Sequence, residues 1–561
     1  MDSVVISKWK WQQGPSPFQF LSCRTRGSRT YATIKNAQGC VLAVDVGTGG
    51  TKAALISRSG GVMSTAFAPH EPPSPSPMGW QASAEQDQES WWLAAKIAIK
   101  DCLLNNSSTN SDKLPPDAIA ITGQMQDVIL LPKQGRTSPQ RKAILYSDAR
   151  ASVEAAEIAE LAGGSSSLAS ATGQPQGGTS SILAKLRWLD KNDIAAAAQC
   201  KSLLLGGHDY VVWKLCGVLV TDATTASTTG LTDRSFQYAE SLIKRVNLGH
   251  WLEMLPYIAP VDIPCAGEVS EAAAAELGFP FLKAVPVLHC CGDAGACSLG
   301  AGAGSPGSIY GYLGTSGWVA GSFRRPKERS QRSIPGVFTL AHPNSALVFQ
   351  TGSIMTAGGN LAWAASNLIN TSKRETLPMS TIDELAKVCQ VGCGGLLYLP
   401  FLSGERCPFE DPTARAAFIG ISNNTSMGEM FRSIMEGVSF AMLSAQCAML
   451  EEPLADSRPL RLVGGGASSP IWPQIIASVF GQTVEVLEEA QDVGVKGAAL
   501  LAGKWLGWHD TLSPDGDWLK IRQTYYPCEK ASLVYNDLFA TYNEAYHNLR
   551  PIFQKLSPYW K

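Results

Sequence analysis

The sequence predicts an α/β fold built from two related halves, and two observations support that prediction. Patterns typical of short buried strands alternate with helical patterns from residue 41 onward. Two strand–turn–strand segments have a glycine-threonine tip, one at Thr48 and one at Thr315. A duplicated unit that holds a nucleotide between its halves explains both hairpins. We therefore expect a nucleotide cleft and a domain boundary near residue 300.

Composition limits the kinds of partner. The chain has 561 residues, of which 45% are hydrophobic and 17% charged, and its formal net charge is −2. This balance is typical of a globular protein, and so small a charge gives no sign of a nucleic-acid surface. No run reaches the roughly 18 apolar residues that a membrane helix needs. We expect small-molecule ligands, with neither nucleic acid nor membrane as a partner.

Residues 1–40 differ in composition from the rest of the chain. They contain six lysines and arginines and many serines and threonines, but one acidic residue, Asp2. A basic, hydroxylated and acid-poor segment is typical of an organelle transit peptide. This predicts an organellar location, in a plastid rather than a mitochondrion. A disordered extension without function, or a wrongly chosen start codon, would explain the same composition.

The first hairpin, residues 41–52, reads VLAVDVGTGGTK and predicts a phosphate site. A buried strand delivers Asp45 to a glycine-rich turn at Thr48 and Gly49, and Lys52 follows. Backbone amides and a lysine suit a phosphate, and a carboxylate suits its magnesium ion through water. The alternative is an ordinary hairpin in which Asp45 only forms the turn.

Two further predicted strands end in polar residues. Residues 118–122 lead into Gly-Gln-Met-Gln-Asp, and residues 143–145 lead into Tyr-Ser-Asp-Ala-Arg. Ligands of open α/β sheets bind beyond the carboxyl ends of the strands. The side chains expected at such a site are Gln124, Met125, Gln126, Asp148 and Arg150.

Three segments of the second part complete the predicted cleft. A strand at residues 285–289 precedes Asp293, which is either a functional carboxylate or the cap of the next helix. Residues 308–317 form the second hairpin, with Gly314, Thr315 and Ser316 at its tip. Residues 460–467 read LRLVGGGA, a strand entering a glycine turn. That turn suits a nucleotide lying against bare backbone, although a plain strand-to-helix turn would have the same pattern.

Eight motifs occur together in an order that resembles the FGGY carbohydrate kinases, and within them the bacterial-type xylulokinases. The resemblance covers residues 41 to about 503. The motifs are VDVGTGGTK at 44–52, EQDQESWW at 85–92, GQMQ at 123–126, AILYSDAR at 143–150, GDAGA at 292–296, LGTSG at 313–317, FLSGERCPFEDP at 401–412 and GGGASSPIWPQIIASVFG at 464–481.

The resemblance implies a fold, a domain order and a reaction. The fold is the two-domain actin-like or Hsp70-like ATPase fold, related to ribonuclease H, with ATP in the interdomain cleft. The N-terminal domain would span 41–299 and the nucleotide-binding domain 300–525, followed by a C-terminal tail at 526–561. The reaction is ATP-dependent phosphorylation of a primary hydroxyl of a ketopentose, D-xylulose to D-xylulose 5-phosphate, with Mg²⁺. The oligomeric state is not determined, and a homodimer is compatible with the sequence.

The resemblance also implies a role for each candidate residue. Asp293 occupies the position of the base that accepts the hydroxyl proton, and Asp45 would hold Mg²⁺ through water. The N-terminal domain would bind the sugar and the phosphates, and the C-terminal domain would bind the nucleotide. The sugar ligands would be Gln124, Met125, Gln126, Asp148, Arg150 and Asp293, and the ATP ligands Thr48, Gly49, Lys52, Gly314, Thr315, Ser316, Gly464, Gly465, Gly466 and Ala467.

Several departures from the family pattern leave the sugar open. Gln126 stands where xylulokinases have histidine, Ala294 replaces an asparagine, and Asp127 replaces a glycine. Cys407 and Phe409 also differ from the common threonine and histidine. A site that hydrogen-bonds sugar hydroxyls discriminates strongly when a partner is lost. The alternatives are a kinase for D-ribulose, L-xylulose or gluconate, a non-catalytic sugar sensor, and a chaperone-like ATPase.

Overall fold

The computed structural model describes residues 39–76, 82–105, 115–132, 141–175, 178, 181–325, 335–368, 377–450, 458–513 and 516–560. Residues 1–38, which contain most of the predicted transit peptide, lie outside these ranges. The strands of the described ranges are β1 Cys40–Val46, β2 Gly50–Ser57, β3 Val62–Pro69, β4 Glu85–Gln86, β5 Ala118–Gly123, β6 Met125–Pro132, β7 Ala143–Ile144, β8 Cys200–Gly206, β9 Val220–Asp222, β10 Tyr257–Ala259, β11 Cys265–Glu268, β12 Pro286–His289, β13 Ile309–Leu313, β14 Gly317–Arg324, β15 Val337–Ala341, β16 Leu347–Ile354, β17 Leu397–Leu399, β18 Ala417–Ile419, β19 Leu460–Val463, β20 Val484–Leu487 and β21 Ile521–Tyr525.

Helices alternate with these strands, as the sequence predicts. The α-helices of the described ranges are α1 Gln88–Asn105, α2 Ser152–Leu161, α3 Ser165–Thr172, α4 Ile182–Asn192, α5 Ile194–Gln199, α6 Gly207–Cys216, α7 Ala223–Thr228, α8 Glu240–Arg245, α9 Glu271–Leu277, α10 Asp293–Gly300, α11 Gly358–Asn367, α12 Met379–Lys387, α13 Met427–Met449, α14 Trp472–Phe480, α15 Val493–Trp505 and α16 Glu529–Leu556. Short 3₁₀ helices lie at Gly249–Met254, Pro280–Leu282, Cys393–Gly395, Gly465–Ser468, Ala490–Asp492, Gly516–Trp518 and Ser557–Tyr559.

The first half is organised around a mixed sheet. Its strand order within the described residues is β11-β12-β5-β1-β2-β3. β1 and β2 form the first hairpin and pair antiparallel, whereas β5 lies parallel to β1 on its other side. Every residue of β5 is buried, because helices cover both faces of a parallel strand. The hairpin tip and the carboxyl end of β5 therefore lie at the same edge of the sheet.

The second half repeats this arrangement. Its sheet has the order β15-β16-β14-β13-β19-β20-β21 within the described residues. The hairpin is formed by β13 and β14, and β19 lies parallel to β13 as β5 does to β1. The two glycine-threonine tips thus occupy corresponding positions in two related sheets, and the predicted α/β architecture of two halves is confirmed.

Two helices that cross at close range join the halves. α10 leaves the first sheet and α15 lies late in the second half. At the crossing, a Cβ added at Gly300 would overlap the carbonyl group of Val493, and one added at Gly497 would overlap that of Ala296. The glycines let the two backbones touch, so α10 and α15 are fixed relative to each other where the two halves meet.

Residues 526–561, for which the sequence predicted only a C-terminal tail, contain the long helix α16. Its buried tyrosines pack into the core of the second half. Tyr535 donates a hydrogen bond to Glu436 Oε1 at 2.8 Å, and Tyr546 donates one to Asp411 at 2.9 Å. The segment is therefore part of the second domain. Among the described residues, no helix is both long and apolar enough to cross a bilayer.

Candidate active site

Asp45 lies near the end of β1, directly opposite Lys52 in the hairpin register. The carboxylate is half-buried, and Gly494 at the start of α15 lies so close that a Cβ there would overlap Asp45 Oδ2. Burial raises the pKa of Asp45, and the charges of Lys52 and His208 act in the opposite direction. The structure thus holds this carboxylate between the first hairpin and a helix of the second half.

Lys52 has a partner in the other half. Its ammonium group lies 2.8 Å from Asp492 Oδ1 and donates to the carbonyl oxygen of Gln491 at 2.7 Å. Asp492 is buried at the start of α15. Lys52 therefore joins the hairpin to the second half, and its predicted contact with phosphate stays a prediction.

Thr48 and Gly49 form the tip of the first hairpin, where Thr48 is half-buried and Gly49 is exposed. The Thr48 hydroxyl lies 3.5 Å from the phenol oxygen of Tyr146. The Thr48 carbonyl accepts a hydrogen bond from Gln86 Nε2 at 3.0 Å, and Gln86 Oε1 accepts one from Trp91 at 2.8 Å. Gln86 thus anchors the tip to the buried start of α1, a role that the sequence analysis missed although it quoted the motif.

Asp293 is the first residue of α10, and Gly292 is the residue that caps the helix. Asp293 Oδ1 accepts a hydrogen bond from the amide of Ala294 at 2.7 Å. Burial and the nearby charge of Asp45 raise the pKa of Asp293 to about 7, while His208 acts in the opposite direction. A carboxylate with a pKa near neutrality can both accept and release a proton at the pH of the cell.

The predicted sugar loop packs beside Asp293. Met125 touches Gly292, where a Cβ would overlap its side chain. Gln124 Nε2 donates to Asp127 Oδ2 at 2.9 Å, whereas Gln124 Oε1 is buried and has no partner among the described residues. Gln126 has a positive φ of 66° and donates to the carbonyl of Thr228. The loop therefore packs against the turn that carries the predicted base, and it contains one unbonded acceptor.

Beneath this loop lies a buried pair of opposite charges, Asp127 and Lys185. Neither side chain has measurable exposure. The Lys185 ammonium donates to the carbonyl oxygens of Leu145 at 2.6 Å and Gln126 at 3.3 Å. Burial raises the pKa of Asp127 and lowers that of Lys185, and their mutual attraction opposes both shifts. The sequence analysis did not predict a role for Lys185. The feature that could have indicated one is the position of a lysine on the apolar face of α4.

Asp148 and Arg150 form a buried ion pair. The guanidinium lies 2.6 Å from Asp148 Oδ2 and 2.8 Å from Glu85 Oε1. Asp148 Oδ2 also accepts from the amide of Ala84 at 2.6 Å. These contacts brace the loop after β7; a direct contact of either side chain with sugar stays a prediction.

In the second half, the two predicted nucleotide segments lie side by side. The carbonyl oxygens of Gly314 and Thr315 accept amide hydrogen bonds from the start of α11, at 2.8 and 3.0 Å. Gly464 has a φ of 96°, which glycine adopts without strain, and the turn packs against Leu313 of the hairpin. Arg522 fixes the turn by donating to the carbonyl of Ala467 at 2.9 Å. Thr315, Ser316 and Gly465 remain exposed, and Gly466 completes the turn.

Behind Asp293 lies a buried cluster that the sequence analysis did not single out. His208 Nε2 lies 2.9 Å from Asp222 Oδ2, and His289 Nε2 lies 2.7 Å from Asp209 Oδ1. All four side chains are buried, and their nearest nitrogen and oxygen atoms lie within 4.8 Å of one another. In the sequence, the residue that could have indicated this cluster was His289, four residues before Asp293.

A two-domain enzyme that transfers phosphoryl groups to sugars has this combination of two related sheets and two carboxylates where they meet. The description "FGGY family of carbohydrate kinases" applies to both matched domain models, the N-terminal one over residues 40–300 and the C-terminal one over 309–505. The chain belongs to the FGGY family of carbohydrate kinases. The family resemblance and the predicted enzyme class are confirmed.

Similar proteins extend over nearly the whole chain. A xylulose kinase of Staphylococcus xylosus is 27% identical over 512 residues, covering 90% of this chain and 99% of that protein. The crystal structure of a xylulose kinase from Rhodospirillum rubrum has a TM-score of 0.79 at 26% identity, covering 92% of this chain and 100% of that one. A gluconate kinase structure from Lactobacillus acidophilus, at 23% identity and TM-score 0.80 with the same coverage, shares the fold.

The predicted organellar location is wrong. The similar xylulose kinases are bacterial proteins that cover 83–93% of this chain, and nothing among these findings indicates an organelle. The prediction was based on composition alone. A basic, hydroxyl-rich stretch is not specific for import, because the same composition arises in segments that no import receptor reads.

Proposed function

We propose that this protein transfers the γ-phosphoryl group of ATP to a primary hydroxyl of a neutral ketopentose, D-xylulose. The observation that carries the proposal is the position of Asp45 and Asp293. The two carboxylates are 248 positions apart in the numbering of the chain, yet the charge of one raises the pKa of the other. Both lie where the first hairpin, α10 and α15 meet.

Asp293 is the base in this proposal. The substrate hydroxyl gives its proton to the Asp293 carboxylate as its oxygen attacks the γ-phosphorus, and the bond to ADP breaks. A pKa of about 7 suits this role, because a fraction of Asp293 is ionised at neutral pH and the protonated form can release its proton afterwards. Positioning and electrostatic stabilisation supply most of the rate enhancement in phosphoryl transfer.

The residues at this place fit a magnesium ion. Asp45 offers carboxylate oxygens, and Thr48 at the hairpin tip offers a hydroxyl. Mg²⁺ prefers oxygen ligands and keeps several waters, which suits an Asp45 that holds the ion through water. When bound, the ion would offset negative charge on the phosphates.

The charges around the sugar loop favour a neutral substrate. Asp127 adds a buried carboxylate there, and the Lys185 ammonium already donates to two backbone carbonyls. Arg150 is paired with Asp148 and Glu85. A carboxylate-bearing sugar acid such as gluconate would meet no uncommitted cation at this loop within the described residues. The names of the similar proteins support xylulose among the neutral sugars.

A sugar panel tests the proposal. Purified protein is given ATP, Mg²⁺ and D-xylulose, D-ribulose, L-xylulose, gluconate or glycerol, and ADP release is measured by a coupled assay. We expect kcat/KM for D-xylulose to exceed that for gluconate by at least about 100-fold, because an unpaired buried carboxylate is strongly disfavoured. A faster reaction with gluconate would contradict the proposed substrate.

A second measurement separates a kinase from a sugar sensor. Asp293→Asn keeps the shape of the side chain but cannot accept a proton. Turnover should fall by about 1,000-fold or more, while the dissociation constant of ATP, measured by calorimetry, changes less than about threefold. Equal turnover of the variant and the parent would remove Asp293 from the role of base.

A further inference from the structure

We propose that His208 is a positioning residue, held as an imidazolium, which links the sugar loop to the residue that carries the catalytic carboxylate. The inference rests on the proposed function in one respect, because it takes Asp293 as the base. It concerns a buried group that contacts neither sugar nor nucleotide in that function. We call the chain from Gln124 through His208 and Asp222 to Gly292 the buried relay.

The relay is continuous in hydrogen bonds. His208 Nδ1 lies 3.1 Å from the carbonyl oxygen of Gln124, and His208 Nε2 lies 2.9 Å from Asp222 Oδ2. Asp222 Oδ1 accepts the amide of Gly292 at 3.2 Å. Gly292 immediately precedes Asp293. The loop with Gln124 and the turn with Asp293 are therefore connected by one side chain from α6 and one from the end of β9.

The partners of His208 determine its protonation state. A carbonyl oxygen can only accept a hydrogen bond, and so can an ionised carboxylate. Both ring nitrogens of His208 face such acceptors, so both carry a proton and the ring is positively charged. The Thr225 hydroxyl lies 3.0 Å from Nε2 and donates to Asp222 at 2.6 Å, so it can accept from the ring as well.

Charge balance supports the imidazolium. His208 is completely buried, and an isolated charge there would be strongly disfavoured. Asp222 compensates it directly, and Asp209 Oδ1 lies 3.6 Å from the ring. Hydrogen bonding to Asp222 raises the pKa of His208 to about 9, against the effect of burial. The ring therefore remains charged through the neutral range.

The other groups around His208 are carboxylates and one histidine. The ring of His289 lies 4.9 Å away, centroid to centroid, and pairs with Asp209. The charge of His208 also lowers the pKa of three acids that face it more distantly, Asp45, Asp127 and Asp293. A fixed positive charge at this position thus favours the ionised form of Asp293, the form that accepts a proton.

Substitutions of opposite charge test the relay through the pH profile of kcat/KM. His208→Gln removes the positive charge, so the acid limb should move up by about one pH unit. Asp222→Asn removes the direct partner of the ring, and burial then favours the neutral imidazole. One positive and one negative charge are lost together, so the acid limb should stay within about half a unit of that of the parent. The double variant H208Q/D222N is neutral again, and its limb should return to within about half a unit of the parent.

The matched control is His250→Gln. His250 is an exposed histidine that also pairs with an aspartate, Asp190, at 3.0 Å. The acid limb of the His250→Gln variant should coincide with that of the parent. If every relay variant lowers kcat/KM by the same factor at all pH values, His208 is only structural and the proposal is overturned. If H208Q does not fold, by circular dichroism, the histidine ¹⁵N signals that change in D222N decide alone: at pH 7.5 they should show a doubly protonated ring in the parent and a neutral ring in D222N.

A measurement without catalysis separates this inference from the proposed function. The chain has seven histidines, so ¹⁵N labelling of histidine gives few signals. The His208 signals, assigned by their loss in H208Q, should show two protonated ring nitrogens at pH 7.5 even if no sugar is phosphorylated. A neutral ring, or one zinc ion bound per chain by the four-residue cluster and removed by a chelator, would overturn the relay.

Discussion

The two hairpins have the same backbone design but different side chains at their corresponding positions. In the first hairpin, Asp45 faces Lys52 across the register. In the second, the same step of the ladder pairs Tyr312 with Trp318, whose rings stack with centroids 3.9 Å apart. One hairpin thus carries a pair of charges and the other a pair of aromatic rings.

This difference shows how a duplicated unit can divide its work. Glycine turns and strand pairing determine the backbone of both hairpins, whereas the side chain at each paired position is free to vary. Asp45 of the charged pair lies near Asp293, and Lys52 binds Asp492 of the second half. The aromatic pair holds the second hairpin by packing. We infer that chemistry depends on the first hairpin and that the second one supports a binding surface.

The largest expected difference between the two hairpins contrasts Asp45 with its counterpart Tyr312. Asp45→Asn removes the charge proposed to hold magnesium, so kcat should fall by about 100- to 1,000-fold. Tyr312→Phe should change kcat less than about twofold. Steady-state kinetics of both purified variants tests this. Similar losses in the two variants would contradict the division of labour between the hairpins.

The pH dependence of kcat should also be determined by a group of the first half, Asp293. Protonated Asp293 cannot accept a proton, so kcat should fall about tenfold per pH unit below a pKa of about 7. Burial raises the pKa of Tyr312, so no titration of the second hairpin is expected between pH 5 and 9. Rates measured across that range check this, and an acid limb that persists in the residual activity of D293N would assign it to another group.

A smaller effect is expected at Lys52, and it distinguishes the two roles of that residue. Lys52→Met removes a predicted phosphate ligand and should raise KM for ATP about tenfold, because a charged hydrogen bond is lost. Asp492→Asn leaves the Lys52 ammonium in place and should raise KM for ATP less than about twofold. Equal changes in KM for both variants would make Lys52 only a link between the domains.

The smallest effect on catalysis is expected at Trp318, where stability should change instead. Trp318→Ala removes a half-buried ring from the stacked pair and should destabilise the second domain by about 2–3 kcal/mol. Trp318→Phe keeps a stacking partner and should lose less than half of that. Calorimetric melting temperatures measure both. A loss of kcat beyond about threefold, with no change in melting temperature, would give the aromatic pair a catalytic role.

Local patterns were sufficient to predict the architecture and the main elements of the cleft. Strand–turn patterns at Thr48 and Thr315 depend on neighbouring residues alone, so they were visible before any contact was known. The same holds for the strand before Asp293. Composition at residues 1–40 had no such physical link to location, and the location inferred from it was wrong.

The sequence by itself thus determined the duplicated α/β plan and the segments that form the cleft, because turn chemistry and hydrophobic periodicity are local properties. Only the tertiary structure paired Lys52 with Asp492, paired Asp148 with Arg150 and Glu85, and assembled His208 and Asp222 behind Asp293. Burial and charge partnership join residues distant in the chain. Protonation states in the cleft therefore follow from the packing of α6, α10 and α15, which no single motif encodes.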